Sequence, residues 1–393
     1  MQSSAYFPVS MCALLAGARS KQPALLELSR KFVRTESPSD TKAAVDACVA
    51  LAAAEARALG GRVNLHRQRG FGDVLEARFE ARFGARGPAA GNCAKPILLL
   101  GHLDTVWPLG TLESMPCRLS EGRLKGPGTL DMKAGVAMAF TALEMLKEAE
   151  LLRREIVLLL NGDEEIGSPA SRPIIERVAR ECEAVYVLEP AQGLAYKTAR
   201  KGIGDWKIAV KGVAAHAGAD FEKGASAIRE LARVVETVSG WSGLKRGLTV
   251  NVGRIGGGTK SNVIPAEAWA EVDVRIARAT DGKRIERRFA ALKAADRRCT
   301  LTVTGGMIRP PMERGRGTVR LFKRAQELAC ELGFALDEAA TGGASDGNFT
   351  AALGVPTLDG MGAVGEGAHA PHESVLVEHL APRTALLAGM LMS

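Results

Sequence analysis

The first half of the chain alternates short apolar runs with longer segments of helical spacing. Apolar residues recur at helical intervals over 22–59, with a polar break at 37–40. The apolar runs lie at 96–100, 155–160 and 184–188, each followed by a polar turn, and further helical segments lie at about 131–152 and 171–183. Runs of this length are typical of buried strands. The alternation predicts an α/β domain with a mixed, mostly parallel sheet and helices on both faces.

A different pattern begins after Lys201. Apolar and polar positions alternate as in strands at 205–213, 248–255, 266–277 and 300–304, and helical spacing appears at 226–239 and 283–295. The order β-α-β-β-α-β is that of the ferredoxin-like α+β fold, an antiparallel sheet with two helices on one face. Helical spacing returns at 319–332 and 381–392, around an apolar run at 355–358. We therefore predict a discontinuous domain of residues 1–200 and 309–393, interrupted by an inserted domain at 201–308.

The composition narrows the class of protein only a little. Hydrophobic residues make up 46% of the 393 positions and charged residues 24%, enough for a large core without disulfides or a structural metal. The seven cysteines are scattered and form no C-x-x-C pair, which favours free thiols in a reducing compartment. The net charge of +8 allows anionic ligands. Because no basic run is interleaved with aromatic residues, we expect no nucleic-acid partner.

We also expect no membrane association. The apolar runs of the chain are far shorter than the stretch of about 20 residues that crosses a bilayer. Residues 11–18 are only weakly apolar and lack the basic flank of a secretory signal. The sequence therefore predicts a cytoplasmic protein.

Acidic and histidine side chains follow each predicted parallel strand. His102 and Asp104 follow the first strand, Glu164 and Glu165 the second, and Glu189 the third. Open α/β sheets bind ligands at the carboxyl ends of their strands, so these side chains should converge on one crevice. Asp131, at the start of a predicted helix, and a C-terminal turn containing His369 and His372 complete the set. Histidine and carboxylate without cysteine is the ligand set of a catalytic zinc, manganese or cobalt site; solvated loop acids are the alternative.

Two pairs of neighbours indicate more specific roles. His102 and Asp104 are two residues apart, so in an extended segment they point to one side, where Asp104 can orient the imidazole. Glu164 and Glu165 are adjacent and point in different directions, so one can bind metal while the other acts as a general base. The alternative is an acidic turn that caps the next helix, with Ser168 or Ser171 as its N-cap.

The motifs of the chain resemble those of the M20 family of co-catalytic metallopeptidases, in its glutamate carboxypeptidase branch. The motifs that carry the resemblance are GHLDTVWP at 101–108, GPGTLDMKAG at 126–135, NGDEEIGS at 161–168, LEP at 188–190, AHAG at 215–218, NVIP at 262–265 and AHAPHE at 368–373. They occur in the order of the family. The first four fall where the strand pattern independently places a site.

The resemblance implies a ligand set for two divalent metal ions, Zn²⁺ first, with Co²⁺ or Mn²⁺ as alternatives. Asp131 would bridge the two metals, with His102 and Glu189 on one and Glu165 and His369 on the other. Glu164 would be the general base and Asp104 would orient His102. In the family the ligand histidine precedes a glutamate by four residues, which selects His369 over His372.

The inserted domain carries further candidates. From the residues alone, His216 is best interpreted as a buried core histidine. The resemblance instead implies that it stabilises the oxyanion in the active site of a partner subunit, which would make a homodimer necessary. Asn262 and Arg275 match positions that bind the substrate carboxylate, and Arg309 is a further candidate. The alternative for each arginine is a solvated surface residue.

Together these features predict a di-metal hydrolase of amide bonds. We expect a carboxypeptidase that releases C-terminal glutamate, or a similar amino acid, from N-acyl or peptidyl substrates with a free carboxylate. An N-acyl-amino-acid deacylase or deacetylase, or a dipeptidase of the same fold, is the alternative. A non-catalytic metal- or ligand-binding protein would have no use for a general base at Glu164.

Overall fold

The computed structural model describes residues 10–81 and 94–392. Within these residues the helices are α1 (Met11–Arg34), α2 (Lys42–Ala58), α3 (Thr111–Ser114), α4 (Ala134–Glu148), α5 (Arg172–Glu181), α6 (Ala227–Ser239), α7 (Ala279–Ala290), α8 (Arg316–Glu331), α9 (Gly347–Ala352) and α10 (Val377–Leu391). The strands are β1 (Arg62–His66), β2 (Val74–Phe79), β3 (Ile97–His102), β4 (Arg118–Ser120), β5 (Arg123–Lys125), β6 (Ile156–Asn161), β7 (Ala184–Val187), β8 (Tyr196–Arg200), β9 (Gly202–Lys211), β10 (Thr249–Gly257), β11 (Glu267–Ile276), β12 (Thr300–Arg309), β13 (Glu338–Thr341), β14 (Thr357–Leu358), β15 (Gly365–Glu366) and β16 (Ser374–Leu376).

The chain divides into two compact units. The first contains residues up to 198 together with 314–340 and the stretch from 345 to the C-terminus, and the second contains 199–313 and 341–344. Our domain boundaries at 200/201 and 308/309, and the role of the inserted domain in dimerisation, stay predictions.

The first unit is built on a six-stranded sheet in the order β1-β2-β6-β3-β7-β14. Strands β6, β3, β7 and β14 are parallel neighbours, and β2 joins β6 antiparallel. Every residue of β3, β6 and β7 is buried. Alternate residues of β3 contribute to two different hydrophobic clusters, Leu99 to one that includes α1, α2, α4 and α10, and Leu98 to one that includes α5. Helices therefore cover both faces, and the predicted α/β fold class is confirmed.

Strands β1 and β2 are absent from the prediction: β1 has no buried residue, and β2 contains buried charge. Glu76, in the middle of β2, is 6% exposed and accepts hydrogen bonds from Arg78 and Arg177 at 2.7 and 2.9 Å. His66 lies 2.8 Å from the same carboxylate. Burial on its own would raise the pKa of Glu76, but these partners outweigh it and lower the pKa to about 2. Because charged residues interrupt the apolar residues of β2, its sequence does not show the apolar run that predicts a buried strand.

A small sheet brings two distant turns together. Its strand order is β15-β16-β5-β4, and Ser374 of β16 pairs with Lys125 of β5. The segment that follows β5 leads to Asp131, and the segment that precedes β16 contains His369. Antiparallel pairing at this register therefore places the two predicted ligands beside each other, although they are far apart in sequence.

The second unit has the predicted β-α-β-β-α-β order. Its antiparallel sheet runs β10-β11-β9-β12, with α6 and α7 packed in the same hydrophobic cluster as the sheet. Trp206 of β9 stacks on Phe289 of α7 with ring centroids 4.4 Å apart. Helix α7 ends at Ala290, earlier than the predicted 295, because Glu230 accepts hydrogen bonds from the backbone N–H groups of Ala295 and Asp296 at 2.7 and 3.2 Å.

Helix α1 begins earlier than predicted. Ser10 caps it by accepting a hydrogen bond from the N–H of Ala13 at 3.2 Å, and Met11, Leu14 and Ala18 are buried in the core of the first unit. Residues 11–18 are thus the first turns of a packed helix. Among the described residues, no helix has the length and apolar character needed to cross a membrane.

The six cysteines that the structure describes are all free thiols, as predicted. Cys48, Cys182 and Cys299 are buried, whereas Cys12 and Cys330 are exposed. Cys93 lies outside the described residues.

Candidate metal centre

The ends of three parallel strands position the site. His102 is the last residue of β3, Glu164 and Glu165 lie in a 3₁₀ turn (Glu164–Ile166) shortly after β6, and Glu189 follows β7. Because β6, β3 and β7 are parallel neighbours, their carboxyl ends lie at one edge of the sheet. These four side chains, of the five predicted from the strand pattern, are therefore carried by adjacent elements.

One group of ligand atoms surrounds His102. Its Nε2 lies 3.1 Å from Oδ1 of Asp131 and 3.6 Å from Oε1 of Glu189. His102 is 1% exposed and Glu189 is 7% exposed, so both are almost shielded from water. A histidine with two carboxylates is a suitable donor set for a catalytic divalent metal.

A second group of ligand atoms surrounds His369. Its Nε2 lies 3.3 Å from Oδ2 of Asp131 and 3.2 Å from Oε2 of Glu165. The ligand atoms of each group lie within 4.8 Å of one another, and Asp131 belongs to both groups, with a different oxygen in each. His372 is exposed and belongs to neither group. The structure thus brings together all five predicted metal ligands.

The charges of the two groups depend strongly on one another. Burial of Asp131 on its own would raise its pKa, but the hydrogen bonds from His102 and His369 outweigh burial and hold the pKa below its usual range. The hydrogen bonds to Asp131 and Glu165 raise the pKa of His369 to about 10. Burial raises the pKa of Glu165. The carboxylates therefore favour positive charge beside them, which is the charge that metal cations would supply.

The residues present fit a pair of divalent metal ions. Oε1 of Glu165 is buried and has no hydrogen-bond partner among the described residues. A buried carboxylate oxygen without a partner is costly unless a cation or a donor meets it. This orphaned oxygen, together with the shared carboxylate of Asp131, matches the ligand arrangement of a co-catalytic metal site.

Asp104 contacts both His102 and the turn that carries Glu164. Its fully buried carboxylate accepts hydrogen bonds from the N–H groups of Glu164 at 3.2 Å and Glu165 at 3.1 Å, and from the hydroxyl of Ser39 at 2.7 Å. Nδ1 of His102 lies 3.0 Å from the backbone carbonyl of Asp104 and 3.5 Å from its Oδ1. The carbonyl therefore fixes the imidazole so that Nε2 faces the ligands, and the carboxylate anchors the turn that carries Glu164.

The turn at 164–166 is not the cap of the following helix. Ser171 makes no side-chain capping bond, and Asp163 instead accepts hydrogen bonds from the N–H groups of Ala170 and Ser171 at 2.8 and 3.1 Å. Asp163 thus holds the two residues that lead into α5. Glu164 and Glu165 are left to the crevice, where Glu164 is half-buried.

Sequence reasoning missed one residue of the centre. Glu373 is completely buried, and its two carboxylate oxygens accept four hydrogen bonds. Three donors are backbone N–H groups of the segment that ends in Asp131, and the fourth is the indole of Trp107. The family motif places a glutamate at this position, but nothing in the sequence indicates that it is buried.

The second unit places His216 and Asn262 on paired loops. The carbonyl of Asn262 accepts a hydrogen bond from the N–H of Ala217 at 2.9 Å. The backbones of His216 and Val263 form an isolated antiparallel β-bridge. His216 is exposed, so its interpretation as a core histidine is wrong. Its Nδ1 accepts hydrogen bonds from the N–H groups of Gly218 and Ala219 at 3.2 and 3.1 Å. In the neutral ring the proton is then on Nε2, where it can be donated.

The two arginines lie at the other end of the same sheet. Arg275 of β11 and Arg309 of β12 are both register partners of Ile203, so their Cα atoms are about 10 Å apart. Arg275 pairs with Asp273 at 2.9 Å, and Arg309 is buried rather than solvated. Asn262 precedes β11, and Arg275 lies eight residues after the start of that strand, or about 27 Å at a rise of 3.4 Å per residue. The structure therefore does not bring Asn262 and Arg275 of one chain together.

Comparison with known proteins shows the family to which this fold and centre belong. Residues 98–393 match Peptidase family M20/M25/M40. The chain is 30% identical over 389 residues to carboxypeptidase G2 of Pseudomonas sp. (strain RS-16), which covers 96% of this chain and 91% of that protein. The chain belongs to this family, so the resemblance of its motifs is confirmed.

The chain is also similar to a protein with a different named activity and to a solved structure. The chain is 29% identical over 311 residues to succinyl-diaminopimelate desuccinylase of Stenotrophomonas maltophilia (strain R551-3), covering 74% of this chain and 81% of that protein. Aminopeptidase PepT of Bacillus cereus ATCC 10987 has the same fold, with a TM-score of 0.80 at 23% sequence identity, covering 94% of this chain and 98% of that one.

Replacing each histidine of the C-terminal turn tests the ligand set. We expect the wild type to bind two metal ions per chain, His369→Ala to keep about one, and His372→Ala to keep both, because only His369 contacts Asp131 and Glu165. Equilibrium dialysis against Co²⁺ or Zn²⁺, followed by elemental analysis, measures the stoichiometry. The two histidines are both exposed and three residues apart, so each variant controls for the other. Loss of metal in His372→Ala alone would refute this assignment.

Proposed function

We propose that this protein is a di-zinc carboxypeptidase that releases C-terminal glutamate, or a similar amino acid, from N-acyl or peptidyl substrates. The observation that carries the proposal is the pair of ligand groups that share Asp131, with Glu164 in the same turn as the ligand Glu165. Zinc suits a donor set of imidazole and carboxylate at a hydrolytic site. The similarity to carboxypeptidase G2 over nearly the whole chain supports the reaction.

Glu164 is the general base in this proposal. A pair of divalent metals bound by the two ligand groups would lower the pKa of a water and polarise the scissile carbonyl. The carboxylate of Glu164 takes the proton of the attacking water and delivers it to the nitrogen of the leaving amine. The carboxylate of Asp104 accepts hydrogen bonds from the N–H groups of Glu164 and Glu165 and so fixes the position of the base relative to the ligand.

The candidates for substrate binding support a site shared by two copies of the chain. Arg275 and Arg309 lie at one end of the sheet and can bind a carboxylate through guanidinium groups. His216 and Asn262 lie beyond the opposite end, too far to hold the same small substrate. We therefore infer a homodimer in which His216 and Asn262 of one copy complete the centre of the other, with Nε2–H of His216 stabilising the oxyanion.

A deacylase is the second candidate. The similarity to a desuccinylase over 74% of the chain favours it, since that relative is named for removing an acyl group from an amine. The two candidates share the amide cleavage and the metal centre. They differ in which side of the bond determines recognition, the amino acid or the acyl group.

A substrate panel tests the proposed reaction. We expect the metal-loaded wild type to release glutamate from N-acyl-glutamates and peptides ending in glutamate at least about tenfold faster than it cleaves N-acetyl derivatives of apolar amino acids or dipeptides. Glu164→Gln should lower kcat by at least about 100-fold on every substrate, because the amide cannot accept the proton. Amine release measured by coupled assay or mass spectrometry gives both values.

The neighbouring residue provides the matched control for that panel. Glu164→Gln should retain both metal ions, whereas Glu165→Gln should lose metal as well as activity, because Glu165 contacts His369. Full activity in Glu164→Gln would refute the role of the base. A wild type that prefers N-succinyl or N-acetyl substrates regardless of the amino acid would favour the deacylase.

Co-expression of two inactive variants tests the shared site. We expect His216→Ala and Glu164→Gln to be inactive separately and to recover about a quarter of the wild-type rate when co-expressed in equal amounts, since half of the dimers are mixed and each has one intact site. Differently tagged chains allow the mixed dimer to be purified and assayed. A mixed dimer without activity would show that His216 acts on its own chain, and an active His216→Ala variant would show that His216 has no role.

A further inference from the structure

We propose that Glu373 is a positioning residue that fixes the bridging ligand Asp131 in the orientation in which it serves both ligand groups. This inference rests on the metal centre of the proposed function, and it concerns a residue outside the ligand set. Glu373 lies four residues after His369 in the sequence, yet its carboxylate contacts a different part of the centre.

The carboxylate of Glu373 is saturated by donors. Oε1 accepts from the N–H groups of Leu130 at 2.8 Å and Asp131 at 3.0 Å. Oε2 accepts from the N–H of Gly128 at 2.9 Å and from Nε1 of the Trp107 indole at 2.9 Å. The side chain is completely buried, and none of these four donors is a charged group. Such a site binds an anion and leaves it no competing partner.

The backbone of Glu373 is held independently of its side chain. Ser374, the next residue, pairs with Lys125 in the small sheet, and the carbonyl of Glu373 accepts from the N–H of Gly126 at 3.3 Å. Glu373 directly precedes β16, whose backbone is held by this pairing, and its carboxylate reaches the segment 128–131. Gly128 has φ +69°, and a Cβ there would lie 2.5 Å from the Thr105 side chain. The segment is thus constrained on both sides.

The position of Asp131 requires this constraint. Its two oxygens lie 3.1 Å from Nε2 of His102 and 3.3 Å from Nε2 of His369, so a shift of one ångström toward either histidine would break the contact with the other. The N–H of Asp131 is itself one of the donors to Glu373. Glu373 therefore acts on the bridging ligand through the backbone N–H of Asp131 itself, as outer residues commonly support ligands at metal sites.

A glutamine at this position cannot reproduce the arrangement. Its carbonyl oxygen can accept two of the four hydrogen bonds, but its NH₂ group would face two N–H donors. Two buried N–H donors would lose their acceptor, and the segment 128–131 would have to move away from the NH₂ group that faces them. The variant Glu373→Gln therefore removes two of the four hydrogen bonds of the anchor while changing the side-chain volume very little.

Metal affinity is the direct test. We expect Glu373→Gln to raise the dissociation constant for Co²⁺ or Zn²⁺ by about 10- to 100-fold, the usual effect of removing a residue that supports a metal ligand. Competition with a chromophoric chelator measures the constant, and the visible spectrum of the Co²⁺ form should change because the geometry at Asp131 changes. Glu366→Gln is the matched control, since Glu366 lies in the same turn segment with a 61% exposed side chain. It should bind metal as the wild type does.

A second variant separates the anchoring of Asp131 from a general effect on folding. Trp107→Phe removes one donor but leaves the three bonds to the segment 128–131, so we expect less than about a threefold change in metal affinity. Circular dichroism of the metal-free proteins identifies variants that fail to fold. If Glu373→Gln does not fold, Glu373→Asp, which keeps the charge on a shorter side chain, takes its place with the same direction of effect.

The outcomes distinguish this inference from the proposed function. Wild-type affinity and an unchanged Co²⁺ spectrum in the folded Glu373 variant would overturn the positioning role and leave the metal centre intact. An equal loss in Trp107→Phe would also overturn it, because that variant keeps the anchor of Asp131. A wild type that binds no metal under the same conditions would instead contradict the proposed function itself.

Discussion

The carboxylate of Asp131 is the element on which the rest of the site depends. It is the only residue common to the two groups of ligand atoms found among the described residues, and it faces His102 with one oxygen and His369 with the other. Every other part of the centre is arranged around that double contact. The parallel strands bring His102, Glu165 and Glu189 to one edge of the main sheet, and the small sheet brings His369 and Glu373 to the same place by pairing β16 with β5.

Buried acids outside the ligand set support this arrangement. Asp104 accepts from the turn that carries Glu164 and Glu165, Asp163 accepts from the two residues before α5, and Glu373 accepts from the segment that carries Asp131. In each case backbone N–H groups donate to the carboxylate. Such contacts fix the backbone without placing a permanent cation beside the metal ligands, which would weaken metal binding.

The parts of the fold that follow hydrophobic periodicity could be predicted from the sequence. The strands β3, β6 and β7 are continuous apolar runs because both of their faces are covered, and the ligands after them follow from the geometry of parallel sheets. The strand β2 could not be predicted, because the buried Glu76 pairs with the half-buried Arg78 and interrupts the pattern, and β1 has no buried residue. The burial of Glu373 could not be predicted either, because three of its four donors are backbone N–H groups, which every sequence has.

In the inserted unit, too, the order of elements could be predicted from the sequence, whereas the placement of the candidate residues could not. Its β-α-β-β-α-β order is evident in the sequence, and the resemblance of the motifs suggested His216, Asn262, Arg275 and Arg309. Their distribution over two ends of one sheet is a property of register, which emerges only when β9, β11 and β12 are paired. That distribution is what makes a second copy of the chain an integral part of the proposed site.

The bridging role of Asp131 is tested most directly by locating the metals. A crystal of the zinc-loaded protein, measured on both sides of the zinc absorption edge, gives the ion positions by anomalous scattering. We predict two anomalous peaks on either side of the Asp131 carboxylate, one next to His102 and Glu189 and the other next to Glu165 and His369. A single peak, or two peaks that do not share Asp131, would contradict the account.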